Sequence, residues 1–213
     1  MAQRRHHYER AFESYLRGRR IPYVAVDEAR KALLPPGRGL SLADPAAGAL
    51  KSFDFVIYGQ SDNLLVEVKG RKLQRSVREG FASGGRQGPR RLENWVTEDD
   101  VASLSLWERL FGIGYRAAFV FVYWCDEQPP DGLFEEIIAC RGRWYALRAV
   151  PLGDYRAAMK PRSARWGTVN LSTADFDRLS RPLAPADGIF DGDAGPDLPA
   201  FEPLERVAAL AAG

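Results

Sequence analysis

The residues able to do chemistry in this chain gather around one short stretch. Leu64-Leu65-Val66-Glu67-Val68-Lys69 has the apolar, β-branched character of a strand. A period of two puts Leu65, Glu67 and Lys69 on one face and Leu64, Val66 and Val68 on the other. Thirteen positions before Glu67 stands Asp54, flanked by Phe53 and Phe55 at the start of a neighbouring strand. Burying these charges without partners is costly, so a metal ion or a hydrogen-bonded network has to compensate. Asp54 and Glu67 offer two hard oxygen ligands, which suit Mg²⁺ or Mn²⁺. Lys69 could orient a water beside such an ion or stabilise charge on a phosphate. Two carboxylates and an amine beside a basic surface are what hydrolysis of a phosphodiester needs. The same face could also be a charged hairpin in which Lys69 pairs with Glu67 or Asp54.

These groups need elements to hold them. Tyr8, Ala11, Phe12, Tyr15 and Leu16 form one apolar stripe, which predicts a helix over 4–17. At about 100° per residue, Glu9 sits roughly 90° from the centre of that stripe and Glu13 roughly 130°. Glu9, at the buried border, is therefore the preferred third carboxylate, with Glu13 second. A short strand is expected over 21–26, then a hairpin with strands over 53–58 and 64–69. From 73 to 94 periodicity is lost and Gly, Ser and Arg accumulate, as in a mobile loop. A helix over 98–111, a strand over 117–125 buried on both faces and a hairpin over 134–149 around Arg141-Gly142 follow. A helix over 152–159, a strand over 166–171 and a helix over 174–179, with Ser172 and Asp175 spaced as a capping box, complete the pattern. The order predicts an α/β domain over 1–183, a mixed central sheet flanked by helices with an additional C-terminal hairpin and short helices. Residues 184–213, rich in Pro, Gly and acids, read as a flexible tail.

Composition narrows the partners. Of 213 residues 46% are hydrophobic and 27% charged, the mix of a globular protein. The longest apolar run, 117–125, is far short of the roughly twenty residues that span a bilayer. The basic N-terminus has no apolar segment behind it, so no secretory signal is expected. Cys125 and Cys140 read as reduced thiols of a cytoplasmic protein. With only His6 and His7 beside them, a structural zinc site is hard to assemble. Phosphate-loop, nucleophile-elbow, zinc-protease and dinucleotide motifs are absent. Residues 1–95 carry 18 Lys and Arg against 10 Asp and Glu, whereas 184–213 carry 1 against 6. The basic half points to a polyanion. Between Lys69 and Arg91 lie Arg71, Lys72, Arg75, Arg78, Arg86 and Arg90, with Glu79 the sole acid, and these basic residues, Arg91 included, read as a phosphate grip beside the site. Tyr123, Trp124, Trp144, Tyr145 and Trp166 are expected in the core, and His7 is a secondary candidate to assist the site.

Asp54 followed by Glu67-Val68-Lys69 resembles the PD-(D/E)xK nuclease superfamily, with Phe53 where that family usually has proline. The likeness spans about residues 8–124 and implies a restriction-endonuclease-like core of helix, strand, hairpin, helix and strand. Glu9 at the head of its helix resembles the arrangement in archaeal Holliday-junction resolvases and Mrr-like restriction endonucleases. The string His7-Tyr8-Glu9-Arg10-Ala11-Phe12-Glu13 is also similar to the signature of the uncharacterised HYExAFE family. The superfamily resemblance implies a Mg²⁺- or Mn²⁺-dependent endonuclease of repair, recombination or defence acting on duplex or branched DNA. Asp54 and Glu67 would bind metal, Lys69 would position water and Glu9 would complete the outer shell. Cutting both strands would favour a homodimer. The alternative is a protein on the same fold that binds nucleic acid or a partner without cutting.

Overall fold

In the computed structural model the described residues are 6–26, 51–59, 61–73, 92–129, 134 and 136–183. Within them the period-two segments pair into one six-stranded mixed sheet. Its strands are β1 (Tyr23–Ala25), β2 (Phe55–Ile57), β3 (Asn63–Lys72), β5 (Tyr115–Cys125), β7 (Arg143–Pro151) and β6 (Glu136–Cys140), in that spatial order. Every neighbouring pair is antiparallel except β3 and β5, which run parallel over ten register positions from Asn63 opposite Tyr115 to Lys72 opposite Trp124. The parallel pair requires a crossover, and α2 (Glu98–Phe111) lies on it. A second, three-stranded sheet holds β4 (Val96–Thr97), β9 (Thr168–Asn170) and β8 (Lys160–Ser163). The β6–β7 hairpin turns at Arg141-Gly142, both with positive φ (50° and 72°), the conformation of a tight two-residue turn.

Both faces of the large sheet are covered. Ala11, Phe12, Tyr15 and Leu16 of α1 (His6–Gly18) pack on Phe55, Val66, Val120 and Val122. On the other face Val101 and Leu104 of α2, Leu152 and Tyr155 of α3 (Leu152–Ala158) and Phe176 of α4 (Thr173–Leu179) meet Leu65, Phe119 and Phe121. The buried Glu136 carboxylate takes the Tyr15 hydroxyl and, at 2.7 Å, the Leu183 N–H, tying α1 and the last described residue to β6. The α/β class and the mixed sheet flanked by helices agree with expectation. β3 runs three residues beyond its expected end, and β4 and β8 were not foreseen. Leu73, Leu92 and Asn94, at the ends of the expected loop, are buried. Most of that loop, with Arg75, Arg78, Arg86, Arg90 and Arg91, and the expected tail over 184–213, lie outside the described residues. Among the described residues no helix is long and apolar enough to cross a membrane, and both cysteines are free thiols.

Candidate active site

β2 pairs with β3 only as far as Phe55 opposite Val66. One further step of the same register sets Asp54 against Glu67. Like charges directly opposite one another destabilise a sheet. At Asp54 the chain bends: its N–H still donates to Val66 O (2.9 Å), while its Oδ2 accepts the Val68 N–H at 2.7 Å. The carboxylate thus supplies the acceptor that the vanished strand no longer offers. Burial, then Glu67, pushes the Asp54 carboxyl up to about 8, the Val68 N–H works against that, and Glu9 adds to it. Burial likewise raises Glu67, and Lys69 opposes the rise.

Lys69 follows Glu67 on the same face and ends between two carboxylates. Its Nζ donates to Glu67 Oε1 and to Asp100 Oδ2, each at 2.8 Å, and its side chain is only 14% exposed. Burial alone would lower the Lys69 pKa, but Glu67 and Asp100 outweigh it, and it is raised. Asp100 is fixed by its own helix. Thr97 N-caps α2 and accepts the Asp100 N–H (3.1 Å), and Asp100 Oδ2 accepts the Thr97 N–H (3.0 Å), a complete capping box. Although burial works against its charge, Lys69 and Thr97 hold Asp100 at about 2. Lys51 reaches the other oxygen, Oδ1, at 3.2 Å.

Asp54, Glu67 and Lys69 therefore meet, and Glu9 is near enough for its charge to raise Asp54. Glu13 is engaged elsewhere, with Arg17 (2.6 Å) and the Tyr23 hydroxyl (2.7 Å). His7 turns to the Tyr145 hydroxyl at 3.0 Å and edge-on to Trp124, and burial lowers its pKa. Lys72 lies over the Trp124 ring at 4.7 Å and pairs with Asp126, on the α1 face of β3. Arg71 keeps to the face of Glu67 and Lys69. Tyr123 and Tyr145 are core and Trp124 and Trp144 half-buried, but Trp166 is 70% exposed, against expectation. Sequence reasoning missed Asp100 and Lys51. Thr97-x-x-Asp100 before an apolar helix was a readable signal for the first; Lys51 had none.

Among the described residues no group of three or more His, Cys, Asp and Glu is drawn together to hold a metal. The donor set is instead a pair of carboxylates. That fits Mg²⁺, which is commonly bound through one or two carboxylates, with waters and substrate phosphates filling the remaining positions.

No family model matches the chain, and no curated protein does. Among solved structures it is similar to Hjc, a Holliday junction resolvase from the hyperthermophile Archaeoglobus fulgidus. The likeness covers 84% of this chain and 90% of that one, at 13% identity and a TM-score of 0.43. At that level the functional case rests on the side chains.

Proposed function

We propose that this chain is a divalent-metal-dependent nuclease that hydrolyses phosphodiester bonds in DNA. What supports it is the half-buried Asp54–Glu67 pair, each carboxylate pushed up by desolvation and Asp54 further by Glu67. A divalent cation would relieve the repulsion within that pair, and a transferring phosphate would bring oxygens to complete its shell. Asp54 and Glu67 would hold Mg²⁺ or Mn²⁺, which when bound polarises a phosphoryl oxygen and an attacking water. Lys69, held by Asp100, keeps its ammonium charged where negative charge develops on the phosphate. Glu9 borders the pair from α1 and belongs to its outer shell. A network of ion pairs with no turnover is the competing account, and the bond from Lys69 to Glu67 is the observation in its favour.

The test is cleavage of linear, circular and four-way-junction DNA, and of RNA, with Mg²⁺, Mn²⁺ or chelator. Cleavage of DNA that needs the metal is expected. Asp54→Asn or Glu67→Gln should abolish it while DNA binding persists or improves, since removing a carboxylate relieves repulsion of the phosphate. Glu9→Gln should lower activity more than Glu13→Gln. Metal-independent cleavage, or full activity in Asp54→Asn, defeats the proposal.

A further inference from the structure

We propose that Arg71 and Arg162, both set against the ring of Trp95, form an anion seat that grips a backbone phosphate of the nucleic acid beside the carboxylate pair. The identity of the ligand rests on the nuclease reading above; the seat itself rests on a surplus of fixed positive charge. Arg71 is half-buried. Its Nη1 donates to Gly70 O at 2.8 Å and its Nη2 to Trp95 O, and its Nε is buried with no partner among the described residues. Glu93 is near enough to be felt, yet no carboxylate among the described residues forms an ion pair with Arg71, and burial lowers its pKa. A guanidinium stays charged and carries five donors in a rigid fork. Two main-chain carbonyls leave that charge unneutralised. By contrast Lys51, Lys69, Lys72, Arg116 and Arg148 each pair with a carboxylate.

Arg71 Cζ lies 4.1 Å from the Trp95 ring centroid and Arg162 Cζ lies 5.1 Å from it. Arg162 comes from β8, whose exposed residues include Lys160 and which leads to Arg165, packed at 5.3 Å on the exposed Trp166 ring. The small sheet thus carries basic and aromatic groups up to the catalytic strand. Same-face side chains on a strand repeat about every 6.6–6.8 Å, so Glu67, Lys69 and Arg71 advance in equal steps along β3. A polyanion whose scissile group lay at Glu67 and Lys69 would bring a neighbouring phosphate to Arg71. A guanidinium fork suits phosphate oxygens, and the stacked tryptophan fixes both forks in place.

The experiment measures binding of the full chain to a short fluorescein-labelled duplex DNA by anisotropy, in chelator and over a salt series. Arg162 is exposed, so Arg162→Ala should leave the melting temperature unchanged while weakening binding roughly tenfold and lowering the log–log salt slope by about one unit. Arg162→Glu should weaken it further. Arg71→Gln should do the same as Arg162→Ala, and Arg71→Lys, which keeps the charge but loses the fork, should fall between. Should Arg71→Gln fail to fold, the two Arg162 variants decide. Arg116→Ala, the loss of the same charge at the opposite end of β5, should leave affinity unchanged. Unaltered affinity and slope in the Arg162 variants overturn the seat, as does an equal loss in Arg116→Ala. Because binding is read without turnover, the two proposals separate. Weakened variants of a protein that never cleaves leave the seat standing and the nuclease fallen, and metal-dependent cleavage with unweakened variants does the reverse.

Discussion

Gly70→Ala tests the contact that brings α1, and so Glu9, to β3. A Cβ built on Gly70 would lie 2.1 Å from Tyr8 Cδ2, 2.4 Å from Cγ and 2.6 Å from Cε2. Carbon atoms rest at about 3.5–4.0 Å, so the ring has to retreat by more than 1 Å on that same scale. The retreat is hindered. Tyr8 has the tilted His7 ring against it, with centroids 3.9 Å apart, and meets Tyr145 edge-on. A turn further along, Ala11 and Phe12 are fully buried and pin the helix. Overpacking of this kind costs about 1–3 kcal/mol. For a domain of this size that lowers the melting temperature by roughly 3–10 °C. Differential scanning calorimetry reads the shift. Tyr8→Ala should cost stability alone yet relieve Gly70→Ala, so the double variant should be more stable than the two single losses predict, by at least 1 kcal/mol on the scale of coupled neighbours. DNA cleavage by Gly70→Ala should fall as Glu9, next to Tyr8, is carried off. A Gly70→Ala protein that melts with the wild type, or a cycle with no coupling, refutes the reasoning.

Further outcomes follow from the charges. Asp54 is raised to about 8, so the folded state binds the extra proton and loses stability as pH climbs from about 4 to about 8; Asp54→Asn should therefore melt higher than wild type at pH 8, but not at pH 4. Mn²⁺ should raise the wild-type melting temperature by mass action and leave Asp54→Asn unmoved, and an equal shift in both would place the ion elsewhere. Asp100 is held at about 2, below an unfolded value near 3.9, so its contribution is complete above pH 4 and is lost as pH falls toward 2; Asp100→Asn should flatten that part of an acid-unfolding curve. Asn94→Ala strands the buried Leu171 N–H that Asn94 Oδ1 accepts at 3.0 Å and should cost about 1–3 kcal/mol in urea unfolding.

What could be read from the sequence was what is encoded locally. Alternation alone set Glu67 and Lys69 on one face, and the turn residues between two apolar runs announced the hairpin that brings Asp54 alongside. The angular argument on α1 separated Glu9 from Glu13, whose partners in the fold are Arg17 and Tyr23. What escaped depends on distant pairing. Gly70-Arg71-Lys72 reads as the start of a loop, and becomes strand because β5 offers Val122, Tyr123 and Trp124 in parallel register. Lys160-Pro161-Arg162-Ser163 is polar and holds a proline, which suits only an edge strand, and β8 is one. Trp166, expected in the core, sits instead on the short 3₁₀ turn after that edge.

The bond from Val68 N–H to Asp54 Oδ2 has a consequence for anyone preparing variants at position 54. Among the described residues no strand pairs with this side of β3 beyond Phe55, and unpaired rims recruit strands from other molecules. Here the carboxylate of Asp54 occupies the Val68 donor, and the guanidinium of Arg71 occupies the Gly70 acceptor. Side chains seal a boundary that no strand among the described residues covers. Asparagine at position 54 retains an oxygen able to accept from Val68, whereas alanine leaves the rim bare. Asp54→Ala should be the variant that self-associates and precipitates during purification, while Asp54→Asn stays dispersed.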